Sequence, residues 1–386
     1  VLFRIVMALC LWTLLRRRVE PVPAAAFSLA ALFLNTFRQM GYVMISMYLL
    51  TLAALMLDAA LGQAEPKKAW HGSALAGAVM AVAAVAHPTQ IVNCALFAVL
   101  LVLFARRSRR LLWPAYCGGG FSIAVLLTAW LEKVHGGHLF ADLLAVLQSD
   151  PTRELGKSVS MLDKTLGAMQ RHGLLLLLPV GFGVCVVLAM IYRSVPRLRR
   201  TLVQLLAGGA LAASGAALLG TCLLWGRERS ADMAVIVLFA AAPCLLPVMT
   251  REHRRQAARL LAFVWLGSLT SLLVILLTTP ATIGARIYTL YPGALLTIPL
   301  SAWAAPELFW PTRGRWTCAA VPLALGMLFT LSSLVNTFSN IYQDAPLSEL
   351  TYRVQSGVYR GCRTTPLRGQ AVEAAEPFLR TVTAQG

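Results

Sequence analysis

Charge is scarce in this chain: Asp, Glu, Lys and Arg make up 13% of its 386 residues, and only 16 are acidic. With 58% of residues hydrophobic, it carries more apolar side chain than one soluble core of this length buries, which excludes an ordinary soluble domain. Cysteine builds no scaffold. Cys10, Cys94, Cys117, Cys185, Cys222, Cys244 and Cys318 lie within apolar runs and read as small packing residues, and Cys362 stands alone in the tail. No disulfide framework or metal site follows. The net charge of +18 invites nucleic acid, but no RNA- or DNA-binding motif accompanies it, so nucleic acid is not an expected partner. The chain opens without Met and without the basic start of a signal peptide. Nor is an internal repeat evident, which disfavours the inverted-repeat transporter folds.

What the chain does have is clustered positive charge set between apolar stretches. The clusters are Arg16-Arg17-Arg18, Lys67-Lys68, Arg106 to Arg110, Arg193 to Arg200, Arg251 to Arg259, and Arg313 to Arg315, and they fall at alternate gaps. Loops rich in Lys and Arg stay cytoplasmic, so the pattern predicts both a polytopic membrane protein and its orientation. A solvated inner face beside anionic membrane lipids accounts for the net charge.

The expected fold is all-α, with about twelve transmembrane helices by the usual span length. The candidate spans lie near 1–15, 22–36, 42–61, 70–86, 91–105, 111–131, 174–192, 201–225, 233–249, 261–277, 287–305 and 317–336. They form a transmembrane domain over 1–343, followed by an extracytoplasmic tail over 344–386 that is too short for an independent domain. The outer loop 132–173 carries helical apolar spacing over 139–147 and 159–169, which predicts two interfacial amphipathic helices. Parity puts Val1 outside, and the expectation is that an earlier span precedes it.

Ionisable residues are almost absent from the spans. Asp58 is the main exception; it lies near the cytoplasmic end of its span, where snorkelling or pairing with Lys67 or Lys68 accounts for it. Polar residues gather instead at the outer ends: Arg38 and Gln39 in one tight turn, His87 to Gln90 in a second, Arg227, Glu228, Arg229 and Asp232 in a third. Arg286, Tyr288 and Tyr291 open a late span. Converging, these would line an outward-facing pocket in which guanidinium groups bind a lipid phosphate and tyrosines meet a sugar. Each has an alternative reading, as an interfacial anchor for the Arg and Tyr residues and as a helix cap for His87.

The layout resembles the GT-C superfamily of membrane glycosyltransferases, which includes the protein O-mannosyltransferases and the bacterial aminoarabinose transferases. The likeness rests on Asn35-Thr36-Phe37-Arg38-Gln39 leading into a span, on Ala86-His87-Pro88-Thr89, on Arg286-Ile287-Tyr288-Thr289-Leu290-Tyr291-Pro292, and on Ser356 to Thr365 after the last span. It covers most of the chain in architecture, through degenerate motifs. It implies transfer of a sugar from a polyprenyl-phosphate donor to an acceptor on the extracytoplasmic face; the short basic loops, with no visible organelle signal, favour a bacterial inner membrane as the location. In such enzymes the catalytic acid typically sits in the first outer loop, which would precede Val1.

The resemblance implies no certain cofactor, with a divalent cation an option, and leaves the acceptor unidentified. Arg286, then Arg227 or Arg229, are the expected donor-phosphate contacts, and Arg38, Gln39, His87, Tyr288 and Tyr291 the pocket lining. Glu228 and Asp232 are fallback choices for the catalytic base. A lipid-linked saccharide flippase and an inactive truncated paralogue are the competing readings.

Overall fold

Long apolar runs fold as helices because hydrocarbon offers backbone N–H and C=O groups no other partner. The computed structural model describes residues 2–32, 42–105, 110–134, 136–138, 141, 196–223, 230–278, 287–308, 314–339, 349–356 and 359–383. The helices are α1 (Leu2–Leu15), α2 (Pro21–Leu32), α3 (Tyr42–Gly62), α4 (Pro66–Ala86), α5 (Gln90–Phe104), α6 (Leu112–Val134) and α7 (Pro196–Leu223). They continue with α8 (Ser230–Cys244), α9 (Arg251–Leu260), α10 (Leu266–Thr278), α11 (Tyr291–Leu295), α12 (Thr297–Leu308) and α13 (Gly314–Ser339).

Five stretches are long and apolar enough to cross a membrane: Val43–Gly62, Pro66–Ala86, Leu112–Val134, Val203–Leu223 and Arg251–Ile275. Shorter apolar helices cover Leu2–Leu15, Pro21–Leu32, Gln90–Phe104, Ala234–Val248 and Ala319–Val335. The chain is therefore a predominantly helical protein with the apolar helices of a membrane protein. The expected span near 174–192 and both expected interfacial helices lie outside the described residues.

The stretch near 287–305 is not the single helix expected. It divides into a 3₁₀ turn over Ile287–Leu290, α11 and α12. Pro299 has no N–H to offer the Leu295 carbonyl, and its ring crowds that group, so the helix is interrupted between them.

Helix α3 is central, with 78% of its spanning window buried, whereas α6 is peripheral at 17%. The outward side chains of α6, among them Phe121, Leu126 and Trp130, are large and apolar, as a lipid-facing surface requires. Leu11, Leu15, Phe27, Leu50, Leu57, Phe97, Phe239 and Phe263 fill the core between α1, α2, α3, α5, α8 and the π-helical turn Leu261–Trp265 that joins α9 to α10. Trp265 stacks on Phe239 at 4.5 Å, and its indole N–H donates to the Phe239 carbonyl at 2.7 Å.

Asp58 does not pair with Lys67 or Lys68. Its carboxylate lies between two guanidinium groups, with Arg18 Nε 3.2 Å from Oδ2 and Arg259 Nε 2.7 Å from Oδ1. Lys68 instead meets Glu65 at 2.6 Å. The reason is geometric: Asp58 faces the interior, where the last residues after α1 and the end of α9 arrive, while Lys67 and Lys68 stand exposed at the start of α4.

The tail departs from the all-α expectation. β1 (Tyr352–Arg353) pairs antiparallel with β2 (Arg363–Thr364), Tyr352 opposite Thr364. Gly361 turns the chain at φ +89°, a conformation costly for any residue with a Cβ. Helix α14 (Pro366–Thr383) packs on the hairpin, with the Tyr352 hydroxyl donating to Glu373 Oε2 at 2.7 Å and the Gln355 N–H to Oε1. The Gln355 amide first, then the Tyr352 hydroxyl, holds the Glu373 carboxyl below the usual carboxylate range.

Candidate functional site

Polar interior groups occupy two separate levels. The Arg18–Asp58–Arg259 cluster lies at one end of α3 and α9, the end that carries the basic residues. A second, uncharged group lies towards the other end. Ser271 follows Arg259 by twelve residues, a rise of about 18 Å along the continuous α9–α10 rod.

At that second level α4 gives way to α5. His87 is the C-cap residue of α4, extended at φ −148° and ψ 106°, and its N–H donates to the Ala83 carbonyl at 2.9 Å. Its own carbonyl accepts from Gln90 N at 2.9 Å, which starts α5. Pro88 allows the tight reversal, since a proline at a helix start removes no hydrogen bond. The His87 ring is buried, with Nδ1 2.6 Å from Thr89 Oγ1. The imidazole tautomer sets which of the two donates.

One turn into α5, Gln90 and Asn93 are completely buried against α10. Asn93 Nδ2 lies 2.7 Å from Gln90 Oε1, 2.8 Å from Ser271 Oγ and 3.2 Å from the Gly267 carbonyl. Gln90 Nε2 reaches Ser271 Oγ at 3.2 Å. Ser268, on the neighbouring stripe of α10, accepts from Gly293 N at 3.1 Å and so joins α11 to the group. Asn93 Oδ1 is buried without a partner among the described residues. A water bridging it is the ordinary remedy for such an atom. Asn93→Ala should cost about 1–3 kcal/mol, because it leaves Gln90 Oε1 and the Gly267 carbonyl short of a donor. Unfolding in detergent micelles measures this, and a midpoint equal to wild type would refute the coupling.

Tyr288 and Tyr291 are buried as well, on the 3₁₀ turn and on α11, which both pack against α10. Tyr291 meets Phe329 edge-on at 5.9 Å. Thus His87, Tyr288 and Tyr291 belong to segments that converge on α10. Arg38, Gln39, Arg227, Glu228, Arg229 and Arg286 lie outside the described residues, as does the side chain of Asp232, which sits in α8. Among the described residues no three of His, Cys, Asp and Glu gather as a metal site.

Asn93, Ser268 and Ser271 were not singled out by the sequence, although their spacing carries a signal. Gln90 and Asn93 stand three apart in an otherwise apolar helix, and Ser268 and Ser271 repeat the interval. Such polar pairs in a span mark a helix–helix contact or a cavity. The described part of this level offers imidazole, carboxamide and hydroxyl groups, a hydrogen-bonding set without a carboxylate or guanidinium among the described residues. Comparison with protein-family models, with curated proteins and with solved structures finds no match to this chain.

Proposed function

We propose that the chain is a polytopic membrane protein of about twelve spans that transfers a sugar from a polyprenyl-phosphate donor to an acceptor on the extracytoplasmic face. One observation carries the reading: the polar level of His87, Gln90, Asn93 and Ser271 is buried, with Thr89 half-buried beside it, at the opposite end from the charged cluster of Arg18, Asp58 and Arg259. With the basic end cytoplasmic, the hydrogen-bonding level falls on the outer side, the side to which the sequence assigns Arg38, Arg227, Arg229 and Arg286. Likeness in layout to the GT-C glycosyltransferases supports the same assignment.

In the reaction, an acceptor hydroxyl oxygen bonds to the anomeric carbon as the bond from that carbon to the phosphate oxygen breaks. Polyprenyl phosphate leaves with the bonding pair, and a carboxylate takes the hydroxyl proton. Glu228 and Asp232 are the short-loop candidates for that base. Arg286, aided by Arg227 or Arg229, stabilises the departing phosphate through paired guanidinium donors. His87, Gln39, Tyr288 and Tyr291 shape the sugar pocket.

The test is release of polyprenyl phosphate from a radiolabelled polyprenyl-phosphate sugar by the natural gene product in proteoliposomes. Turnover is expected, and Arg286→Ala should lower it by about tenfold or more, one lost charge-assisted contact. Movement of the labelled lipid between leaflets without transfer would point to a flippase. Inertness in both assays would point to an inactive paralogue. Unchanged turnover in Arg286→Ala would remove that residue from the site.

A further inference from the structure

Helix α9 is fixed on three sides. Ala257 and Leu260 are buried in the core. Arg254 turns back to donate to the Pro247 carbonyl at 3.1 Å and the Met249 carbonyl at 2.9 Å. His253 stacks on Trp303 at 5.4 Å. The fourth side is open. There Arg251, Arg255 and Arg259 follow one another four residues apart and, with Glu252 and Gln256, line a basin of about 510 Å³.

That lining is electrostatically unbalanced. Like charges four residues apart on a helix repel one another. Arg251 also sits in the first turn, where the positive end of the helix adds to the repulsion. Glu252 is the single acid among the described lining residues, and of the three lining arginines Asp58 pairs with Arg259. Gln256 Oε1 is buried and has no partner among the described residues. The basin also lies at a boundary: α9 is strongly polar, and the apolar run that follows to Ile275 belongs to the membrane-crossing stretch.

We propose that this basin binds the phosphate of an anionic phospholipid whose headgroup carries hydroxyls. Arg251 and Arg255 take the phosphate oxygens through guanidinium donors. Gln256 and Glu252 meet the hydroxyls, the Gln256 carboxamide turning towards the basin so that its unpartnered oxygen gains a donor. The position at the interface favours a lipid over a soluble phosphate, because the headgroup arrives there already tethered. The proposal rests on membrane insertion and is independent of sugar transfer.

Native mass spectrometry of the detergent-solubilised chain, titrated with phosphatidylglycerol, phosphatidic acid or phosphatidylcholine, tests it. Phosphatidylglycerol should be retained about tenfold more strongly than phosphatidylcholine, roughly the worth of one good charge-assisted contact pair. That preference should vanish in Arg251→Gln/Arg255→Gln, whose two side chains are exposed and carry little packing. It should survive in Arg17→Gln/Lys67→Gln, which removes the same charge from exposed positions of two other basic clusters. In Gln256→Leu the advantage of phosphatidylglycerol over phosphatidic acid should disappear, with phosphate binding retained. Equal losses in the two double variants would overturn the site in favour of diffuse attraction. Displacement of the lipid by glycerol phosphate at millimolar concentration would overturn it in favour of a soluble anion.

Discussion

Asp58→Ala should destabilise the protein by about 3–5 kcal/mol, the cost of removing one partner from a buried ion pair. The carboxylate is 2% exposed, and the side chains of Arg18 and Arg259 are 18% and 21% exposed. Without it, two guanidinium groups face each other across a poorly hydrated gap, with one anion fewer to hold them. The cluster also ties three separated parts of the chain together: the turn after α1, the end of α3 and the end of α9. Arg18 adds bonds of 2.8 Å to the Asp58 carbonyl and 3.2 Å to the Ala59 carbonyl, so it caps the last turn of α3, where a cation is favourable.

The single changes Arg18→Gln and Arg259→Gln should each cost less than Asp58→Ala, since one cation still balances the carboxylate. A triple change of Arg18, Asp58 and Arg259 to leucine should recover part of the loss, because no buried charge is left unpaired. Titration with a denaturing detergent from mixed micelles, followed by helix content, provides the ranking. An Asp58→Ala protein with the wild-type midpoint would show that the cluster is solvated and contributes nothing.

Most of the described helices, though not the break within 287–305, were legible in the sequence because backbone satisfaction in an apolar run leaves one local solution. Tertiary partners were not. Asp58 was expected beside the lysines nearest in sequence, whereas its partners are Arg18, forty residues earlier, and Arg259, two hundred and one residues later. Hydropathy marks depth along a helix and carries no information about which face meets which neighbour. The same limit hid the Gln90–Asn93–Ser271 contact, whose two halves lie 181 residues apart. The tail hairpin was missed for another reason: its strands are two residues each, below the length at which alternation can be recognised. Of the expected site, His87, Tyr288 and Tyr291 proved to be interior residues on segments that meet α10, and the basic members lie outside the described residues.

Glycine 119 should tolerate no side chain, while its neighbour Gly118 should accept alanine without loss. The two stand side by side in the run Cys117-Gly118-Gly119-Gly120 of α6, so sequence alone does not separate them. A methyl group at Gly119 would run into the Ala74 carbonyl of α4, and one at Gly77 of α4 into the Tyr116 carbonyl of α6. At Gly118 the same group meets nothing within 4 Å. The helices α4 and α6 thus touch backbone to backbone, and Ser73 Oγ donates to the Leu112 carbonyl across the same contact at 2.7 Å. Close approach of this kind replaces the hydrophobic drive that lipid removes, through dispersion and weak Cα–H···O contacts. Alanine at Gly77 or Gly119 should cost about 1–3 kcal/mol, the usual range for overpacking, and leucine more, because the obstructing atoms are backbone and cannot rotate aside. Alanine at Gly118 should be neutral or gain up to about 1 kcal/mol from helix propensity. Unfolding in detergent micelles gives the readout: the midpoint should fall when Gly77 becomes leucine, and an unchanged midpoint would show that the two helices do not meet in this way.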